Sequence, residues 1–366
     1  MERGRESGPR ALVVGTGFGC RIQAPALRGA GFEVVGIVGS DAGRTARRAA
    51  ENGIAQSFTD LDEAITKTGA SVVAVAAPPG SHCAVTLAAI ARGCHVLCEK
   101  PFAKDLAEAS RMLQAAERAG VIHMIGHEFR FVPQRALVAR AIAEGLIGEP
   151  RFVALVGFTG YVADYAPSIP SWWFDPAAGG GWLGASGSHI VDQIRSELGE
   201  FRSVSATLPK VSAAAAAVED SFTVRFQLSG GVDGVMQQCA GAFGPPVAMF
   251  RVAGTKGTLW TEGQAVWIAD KSGARELAVP ADLALPPDPP PSSDRRQDTA
   301  EWRFLSSLEL GPYTKLCGVL RAAIEGGPSP SSRPPATFAD GVACMRVIDA
   351  IRSSAANDGA VTNIAT

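Results

Sequence analysis

The sequence predicts an α/β domain with a parallel, doubly wound sheet, followed by an α+β domain with a largely antiparallel open sheet. Three observations carry this. Short apolar runs alternate with helical patterns through the first third, as in strands buried on both faces and covered by helices. A glycine-rich turn, Gly15-Thr16-Gly17-Phe18-Gly19-Cys20, closes the first apolar run. Beyond Phe129 the alternation stops, and strand-like runs separated by Gly and Pro turns take over.

The elements follow in order. Residues 11–14 are the first strand and 22–30 a helix. Residues 32–38 form a second, β-branched strand. Asp41 stands where a cap is needed for a helix running to 52. A short strand over 55–58 precedes Asp60, which with Glu63 resembles a capping box. Strands at 71–76, 95–98 and 121–126 then alternate with helices at 81–92 and 105–119. A helix at 133–144 leads into strands at 151–158, 204–208, 222–228, 234–240, 247–252 and 258–260. The turns Ser229-Gly230-Gly231 and Gly244-Pro245-Pro246 separate some of these. Residues 285–293 and 328–335 are proline-rich surface loops, and 213–217 is an alanine run at a loop or strand edge. A last amphipathic helix covers 339–355. At 366 residues the chain suits two domains. They are placed at 1–128 and 129–366, with the final helix a candidate to pack back on the first.

Apolar residues make up 46% and charged residues 19%, which excludes overall disorder. The net charge is −2 and there is no long basic run, so nucleic acid and anionic membrane surfaces are excluded as main partners. No run of about 18 uncharged apolar residues spans a bilayer. The apolar run after the charged stretch 1–10 is too short for a signal-peptide core. The 7 cysteines are odd in number and form no framework, so a cytoplasmic setting is expected. His123, His127 and Glu128 have a metal-like spacing, but on a strand rather than the helix it requires. Cys94 and Cys98 lack zinc spacing, so no metal is expected.

The glycine-rich turn lies between a strand and a helix, where a dinucleotide fingerprint belongs. Gly15 permits the tight turn, and Gly17 lets backbone N–H groups approach a pyrophosphate at a helix N-terminus. Thr16, Phe18 and Gly19 complete the loop. Cys20 occupies the position usually held by Gly or Ala, with Gly19 able to compensate. An NAD site usually carries an acidic residue at the end of the second strand. Here Gly39 and Ser40 stand there, and Asp41 is committed to capping. Ser40 and Arg44 suit a 2′-phosphate, so NADP(H) is favoured, with NAD(H) the alternative.

At Cys94-His95-Val96-Leu97-Cys98-Glu99-Lys100-Pro101 the chain resembles the glucose–fructose oxidoreductase / inositol dehydrogenase (Gfo/Idh/MocA) family. Ala76-Ala77-Pro78-Pro79 with His82, and Gly126-His127, agree with it. So do Gly179-Gly180-Gly181-Trp182-Leu183, Gly187-Ser188-His189 and Asp192. The resemblance runs from Leu12 to the last helix. It implies a Rossmann domain that binds the cofactor, with Ala77, Pro78, Pro79, His82, Glu99, Lys100 and Trp173 among the contacts. It further implies hydride transfer at a hydroxyl or carbonyl carbon of a sugar or polyol, with Lys100 moving the hydroxyl proton. Glu99 would lie near the nicotinamide ribose, and Pro101 would follow a cis bond.

His189 is the second catalytic candidate by resemblance. The family motif places Asp four residues before it, and this chain has Ala185 there. His189 then acts with Lys100 alone, or Asp192 orients it, or the site is specialised or impaired. Five of the nine Trp and Tyr residues fall between 161 and 182: Tyr161, Tyr165, Trp172, Trp173 and Trp182. Such a cluster suits a pocket wall that stacks on sugar rings. Arg130 resembles a family position, whereas Glu128 replaces what is often Asn. Both are candidate substrate contacts, and both can instead pair with each other. The resemblance also implies a homodimer or homotetramer. Two other readings stay open: a non-catalytic dinucleotide-binding regulator, motivated by Ala185, and an NAD-dependent glycoside hydrolase.

Overall fold

A computed structural model of the chain describes residues 8–163, 169, 171–213, 218–287, 289 and 300–365. Tyr165 and most of the two low-complexity stretches, 213–217 and 285–293, lie outside these. The chain divides into two compact units.

The first unit is a six-stranded parallel sheet of β1 (Arg10–Val14), β2 (Glu33–Val38), β3 (Ser57–Phe58), β4 (Val72–Val75), β5 (His95–Cys98) and β6 (His123–Ile125). The order β3-β2-β1-β4-β5-β6 is that of a doubly wound dinucleotide-binding sheet. Its central strands are apolar along their length because helices cover both faces, and β4 is buried at every residue. The helices are α1 (Ala24–Gly29), α2 (Ala42–Glu51), α3 (Leu61–Thr68), α4 (Pro79–Ala91) and α5 (Leu106–Ala119). Asp41 and Asp60 cap α2 and α3, accepting from the backbone N–H of Arg44 at 2.6 Å and of Glu63 at 2.7 Å. Each satisfies one of the donors a helix start leaves open.

The second unit begins with α6 (Pro133–Ala143). It carries β7 (Pro150–Phe158), α7 (Ser188–Leu198), β8 (Phe201–Thr207), β9 (Ser221–Leu228), β10 (Asp233–Cys239) and β11 (Val247–Gly254). Then come β12 (Thr258–Glu262), β13 (Ala265–Asp270) and β14 (Gly273–Leu277). With a terminal strand these form a nine-stranded sheet in which β7 and β10 pair in parallel and the other neighbours antiparallel. Inward residues alternate with outward ones, as in β9, where Phe222, Val224, Phe226 and Leu228 are buried.

The units are not the two contiguous stretches expected. The first takes residues up to 132, less 104–106, and regains Leu285–Gly341. The returning piece contains α8 (Ala300–Glu325), a helix the sequence patterns did not reveal. The final helix α9 (Phe338–Ala356) joins the second unit from Val342 onward, and β15 (Thr362–Asn363) edges the large sheet. Among the described residues no helix is long and apolar enough to cross a membrane.

Candidate active site

The fingerprint loop leaves β1 at Gly15, whose φ is +119°. A Cβ there would lie 2.4 Å from the carbonyl oxygen of Ala76, so only glycine fits against the end of β4. Gly17 faces open space: a Cβ on it would meet nothing within 4 Å. A Cβ on Gly19 would lie 2.6 Å from Val13 Cγ1. Gly19 therefore provides the close helix–strand approach, and Cys20 is fully buried beside it. The chain enters α1 through a π turn, Gly19–Gln23, a widening often found at functional sites. The buried Arg48, which sequence reasoning passed over, holds the loop by donating from Nε to Thr16 O at 3.1 Å. This strand–glycine turn–helix geometry fits a dinucleotide pyrophosphate.

At the end of β2 the acidic residue of an NAD site is replaced by packing. A Cβ on Gly39 would lie 2.4 Å from Thr45 Oγ1 and 2.9 Å from Thr16 Cγ2. Thr45 is itself held by a 2.6 Å bond to Asp41 O. Arg44 Nη2 donates to Ser40 Oγ at 3.0 Å, so the exposed pair predicted for a 2′-phosphate is assembled.

His82 is 1% exposed. Its Nε2 lies 2.8 Å from Ala77 O and its Nδ1 3.0 Å from Pro101 O, so whichever nitrogen carries a proton donates to a carbonyl. Burial lowers its pKa despite these carbonyls. It ties the Ala77-Pro78-Pro79 turn to the segment after Lys100. The Lys100–Pro101 peptide is cis.

Glu99 is the hub of a buried network. Its Oε1 accepts from Tyr313 Oη at 2.6 Å and from Gln23 Nε2 at 3.3 Å, while Gln23 also donates to Tyr313 Oη at 2.9 Å. Its Oε2 accepts from the backbone N–H of Lys100 at 3.3 Å. Gly126 makes room, since a Cβ there would lie 2.5 Å from Glu99 Oε1. Burial raises the pKa of Glu99 to about 7, against the pull of the Lys100 ammonium and the Tyr313 hydroxyl. Burial first, then the Glu99 carboxylate, hold Tyr313 well above its usual range. Gln23 and Tyr313 were not singled out from the sequence. The usable signal was a tyrosine four residues from both Glu309 and Cys317 on α8, one face of a helix.

Glu128 and Arg130 follow β6 on a short 3₁₀ turn, Glu128–Phe131. They do not form the mutual ion pair held open above. Arg130 Nη2 bonds Asp340 at 3.0 Å, and Glu128 is fully buried with no hydrogen-bond partner among the described residues.

In the second unit, the triple glycine is explained by its neighbours. A Cβ on Gly180 would lie 2.4–2.8 Å from the carbonyl oxygens of Trp172, Asp175 and Trp173, and one on Gly181 2.1 Å from Glu219 Oε1. The turn carrying Trp172 and Trp173 is thereby drawn against Trp182. Their rings form a chain: Trp172–Trp173 at 6.0 Å, Trp173–Trp182 at 5.6 Å and Tyr161–Trp182 at 5.8 Å. Trp182 Nε1 donates to Gln238 Oε1 at 2.8 Å, and Ser186 Oγ to the same oxygen at 2.9 Å. Gln238, on β10, is another residue the sequence did not flag. Ala185 sits in a π turn, Leu183–Gly187, that runs into α7. His189 and Asp192 lie three residues apart on α7, both buried, as neighbours on a helix surface do.

Residues 10–127 match the model of an oxidoreductase family with an NAD-binding Rossmann fold, and residues 136–260 match the GFO/IDH/MocA C-terminal domain. The 1,5-anhydro-D-fructose reductase of Ensifer adhaerens is 35% identical over 64% of this chain and 69% of its own length. The chain belongs to the Gfo/Idh/MocA family. As a Gfo/Idh/MocA protein it is an oxidoreductase, a dehydrogenase or reductase of CH–OH groups with an NAD-binding domain. The D-xylose 1-dehydrogenase (NADP(+)) 2 of Haloferax volcanii is 26% identical over 95% of this chain and 98% of its own length. Levoglucosan dehydrogenase in complex with NADH and levoglucosan superimposes with a TM-score of 0.81 at 24% identity, over 98% of this chain and 99% of that one. At that identity the likeness shows the fold.

Proposed function

We propose that this oxidoreductase is NADP(H)-preferring and transfers hydride between nicotinamide and a hydroxyl or carbonyl carbon of a sugar or polyol, in the cytoplasm. When bound, the nicotinamide supplies or accepts the hydride. Gly15, Thr16, Gly17, Phe18 and Gly19 cradle the pyrophosphate, Ala77, Pro78 and Pro79 line the adjacent turn, and His82 fixes that turn. Ser40 and Arg44 hold the 2′-phosphate. Lys100 gives or takes the hydroxyl proton and His189 assists. Glu99 orients the nicotinamide ribose and Trp173 covers the ring. Tyr161, Trp172 and Trp182 supply flat faces for a sugar, and Glu128, Arg130 and Asp192 complete the substrate residues, the buried pairing of Arg130 with Asp340 making its part indirect.

The observation that carries the cofactor preference is the Ser40–Arg44 bond beside a Gly39 with no room for an acidic side chain. The likeness to the NADP(+)-dependent D-xylose 1-dehydrogenase 2 of Haloferax volcanii supports it. Titration of NADPH and NADH into wild type, Lys100→Met and Arg44→Ala tests the reading. NADPH is expected to bind more tightly than NADH, Lys100→Met to bind without turning over, and Arg44→Ala to lose affinity for NADPH alone. Equal affinities in wild type would sink the preference. Binding of neither cofactor would sink the oxidoreductase mechanism in favour of another use of the fold.

A further inference from the structure

Gln238 holds Trp182 and Ser186, and in doing so it fixes which way its own amide faces. Its Oε1 accepts from Trp182 Nε1 at 2.8 Å and from Ser186 Oγ at 2.9 Å. An indole N–H can only donate, so the atom that meets it is the amide oxygen. Two donors fill that oxygen's two lone pairs. The amide nitrogen, with its two N–H groups, is thereby turned to the other side. It has no hydrogen-bond partner among the described residues. Gln238 shares the inward face of β10 with Gly234 and Met236. Met236 is fully buried there, whereas Gln238 is half-buried and its Nε2 is open to solvent. Its register partner on β7 is Gly157, where a Cβ would lie 3.2 Å from Nε2. Glycine keeps that approach clear. The bond to Nε1 sets the amide at the edge of the Trp182 indole, in the chain of rings that includes Trp173 and Tyr161. A sugar that stacks its C–H face on an indole carries its oxygens around the rim, where they overhang that edge.

We propose that Gln238 is a specificity-determining residue whose Nε2 donates to one oxygen of a sugar stacked on Trp182, with Trp182 and Ser186 holding the amide in the orientation that does so. The donors select an accepting oxygen at that point of the rim, whether of a hydroxyl, a ring ether or a carbonyl. They reject a ligand that carries a methylene there, because the amide then gives up water without gaining a partner. The assignment rests on the sugar oxidoreductase function proposed above.

The test pairs a change in the protein with a change in the ligand. The full chain is assayed with NADP(H) or NAD(H) on 1,5-anhydro-D-fructose, D-xylose and levoglucosan, the sugars that appear in the names of its relatives. The monodeoxy analogues of whichever is turned over follow. Wild type is expected to lose about three- to tenfold in kcat/KM when one particular oxygen is removed. Gln238→Met is expected to lose that much on the parent sugar and nothing further on that one analogue. At the other positions it is expected to keep the wild-type penalties. A purely structural role for Gln238 lowers every sugar alike and leaves all the penalties in place, and that result would overturn the assignment. Where Gln238→Met fails to fold, Gln238→Ala replaces it. Turnover of none of the sugars by wild type would instead remove the function the assignment rests on.

Discussion

Tyr313 donates a 2.6 Å hydrogen bond to Glu99 across 214 residues of sequence. The bond links α8 to the end of β5, within the first unit. It shows why a helix so late in the chain belongs with the nucleotide-binding sheet. One face of α8 carries Glu309, which pairs with Arg21, and Tyr313, which meets Gln23 and Glu99, with Cys317 buried one turn further on. A carboxyl placed at this depth titrates abnormally, which makes the network measurable.

The pKa of Glu99 is raised from 4.5 to about 7 by burial, so the folded chain keeps a proton that the unfolded chain releases. The unfolded state therefore binds fewer protons between pH 4.5 and 7, and this carboxyl's contribution to stability falls as pH rises through that window. The whole effect is at most about 3 kcal/mol. Urea unfolding of wild type and Glu99→Gln from pH 4.5 to 8 checks it. The variant is expected to gain on wild type as pH rises, with the difference between them levelling off about one unit above the folded pKa, near pH 8. A difference that does not vary with pH would place the Glu99 pKa at its ordinary value.

Gly39 bears on cofactor engineering. An acidic residue there is the obvious change toward NAD, yet its Cβ would lie 2.4 Å from Thr45 Oγ1. Gly39→Asp alone is expected to destabilise the protein by about 1–3 kcal/mol through overpacking and to bind NADH no better. Gly39→Asp with Thr45→Ala removes the nearer contact, leaves only Thr16 Cγ2 at 2.9 Å to give way, and is expected to recover part of the stability and raise NADH affinity. Thermal melts and cofactor titrations of both variants decide it. Tight NADH binding by the single variant would show that Thr45 moves aside without cost.

Much of this arrangement was legible from local signals. Asp41 and Asp60 were readable as caps because a side-chain oxygen beside three open N–H groups has few other uses. Alternating apolar runs exposed the parallel sheet, and the Glu99-Lys100-Pro101 segment marked the family. The hidden parts depend on distant packing. Helix α8 contains Gly311, Pro312 and Gly318, which read as breakers, and tertiary contacts override them. That Gly19 performs the packing expected of position 20 follows from a π turn, which no side-chain pattern announces. Strands β13 and β14 were missed because they form a short outer hairpin whose last strand, Gly273–Leu277, is mostly exposed. Gln238 is a buried-side anchor for Trp182 on a strand that reads only as alternating.

Lys100 and His189 are expected to differ in how much they contribute. A residue that moves the hydroxyl proton is worth about 10²–10⁴ in rate, so Lys100→Met is expected to lose that much kcat with cofactor affinity kept. His189→Asn is expected to lose less, about 10–100-fold, because an assisting hydrogen bond is only partly lost. Steady-state kinetics with either variant on any turned-over sugar or polyol gives the comparison. A larger loss in His189→Asn than in Lys100→Met would exchange their proposed roles.

The outer face of the large sheet yields the last prediction. Phe152, Phe158, Val247 and Met249 are exposed on β7 and β11, with Val156 paired to Met249 and Phe158 to Val247. On the adjoining strands Trp260 and Trp267 stack at 6.1 Å, and Arg251 lies 4.7 Å over the Trp260 ring. A contiguous apolar and aromatic surface on a sheet face is where a second copy is expected to pack. Wild type is expected to sediment as a dimer or tetramer. Phe152→Asp with Met249→Asp is expected to shift it to monomer, since each charge would be desolvated at the contact. Because both side chains point away from the core, far-UV circular dichroism is expected to be unchanged. Sedimentation velocity on the two proteins is the check. An unchanged oligomer in the double variant would move the contact to another face, and a monomeric wild type would remove the assembly altogether.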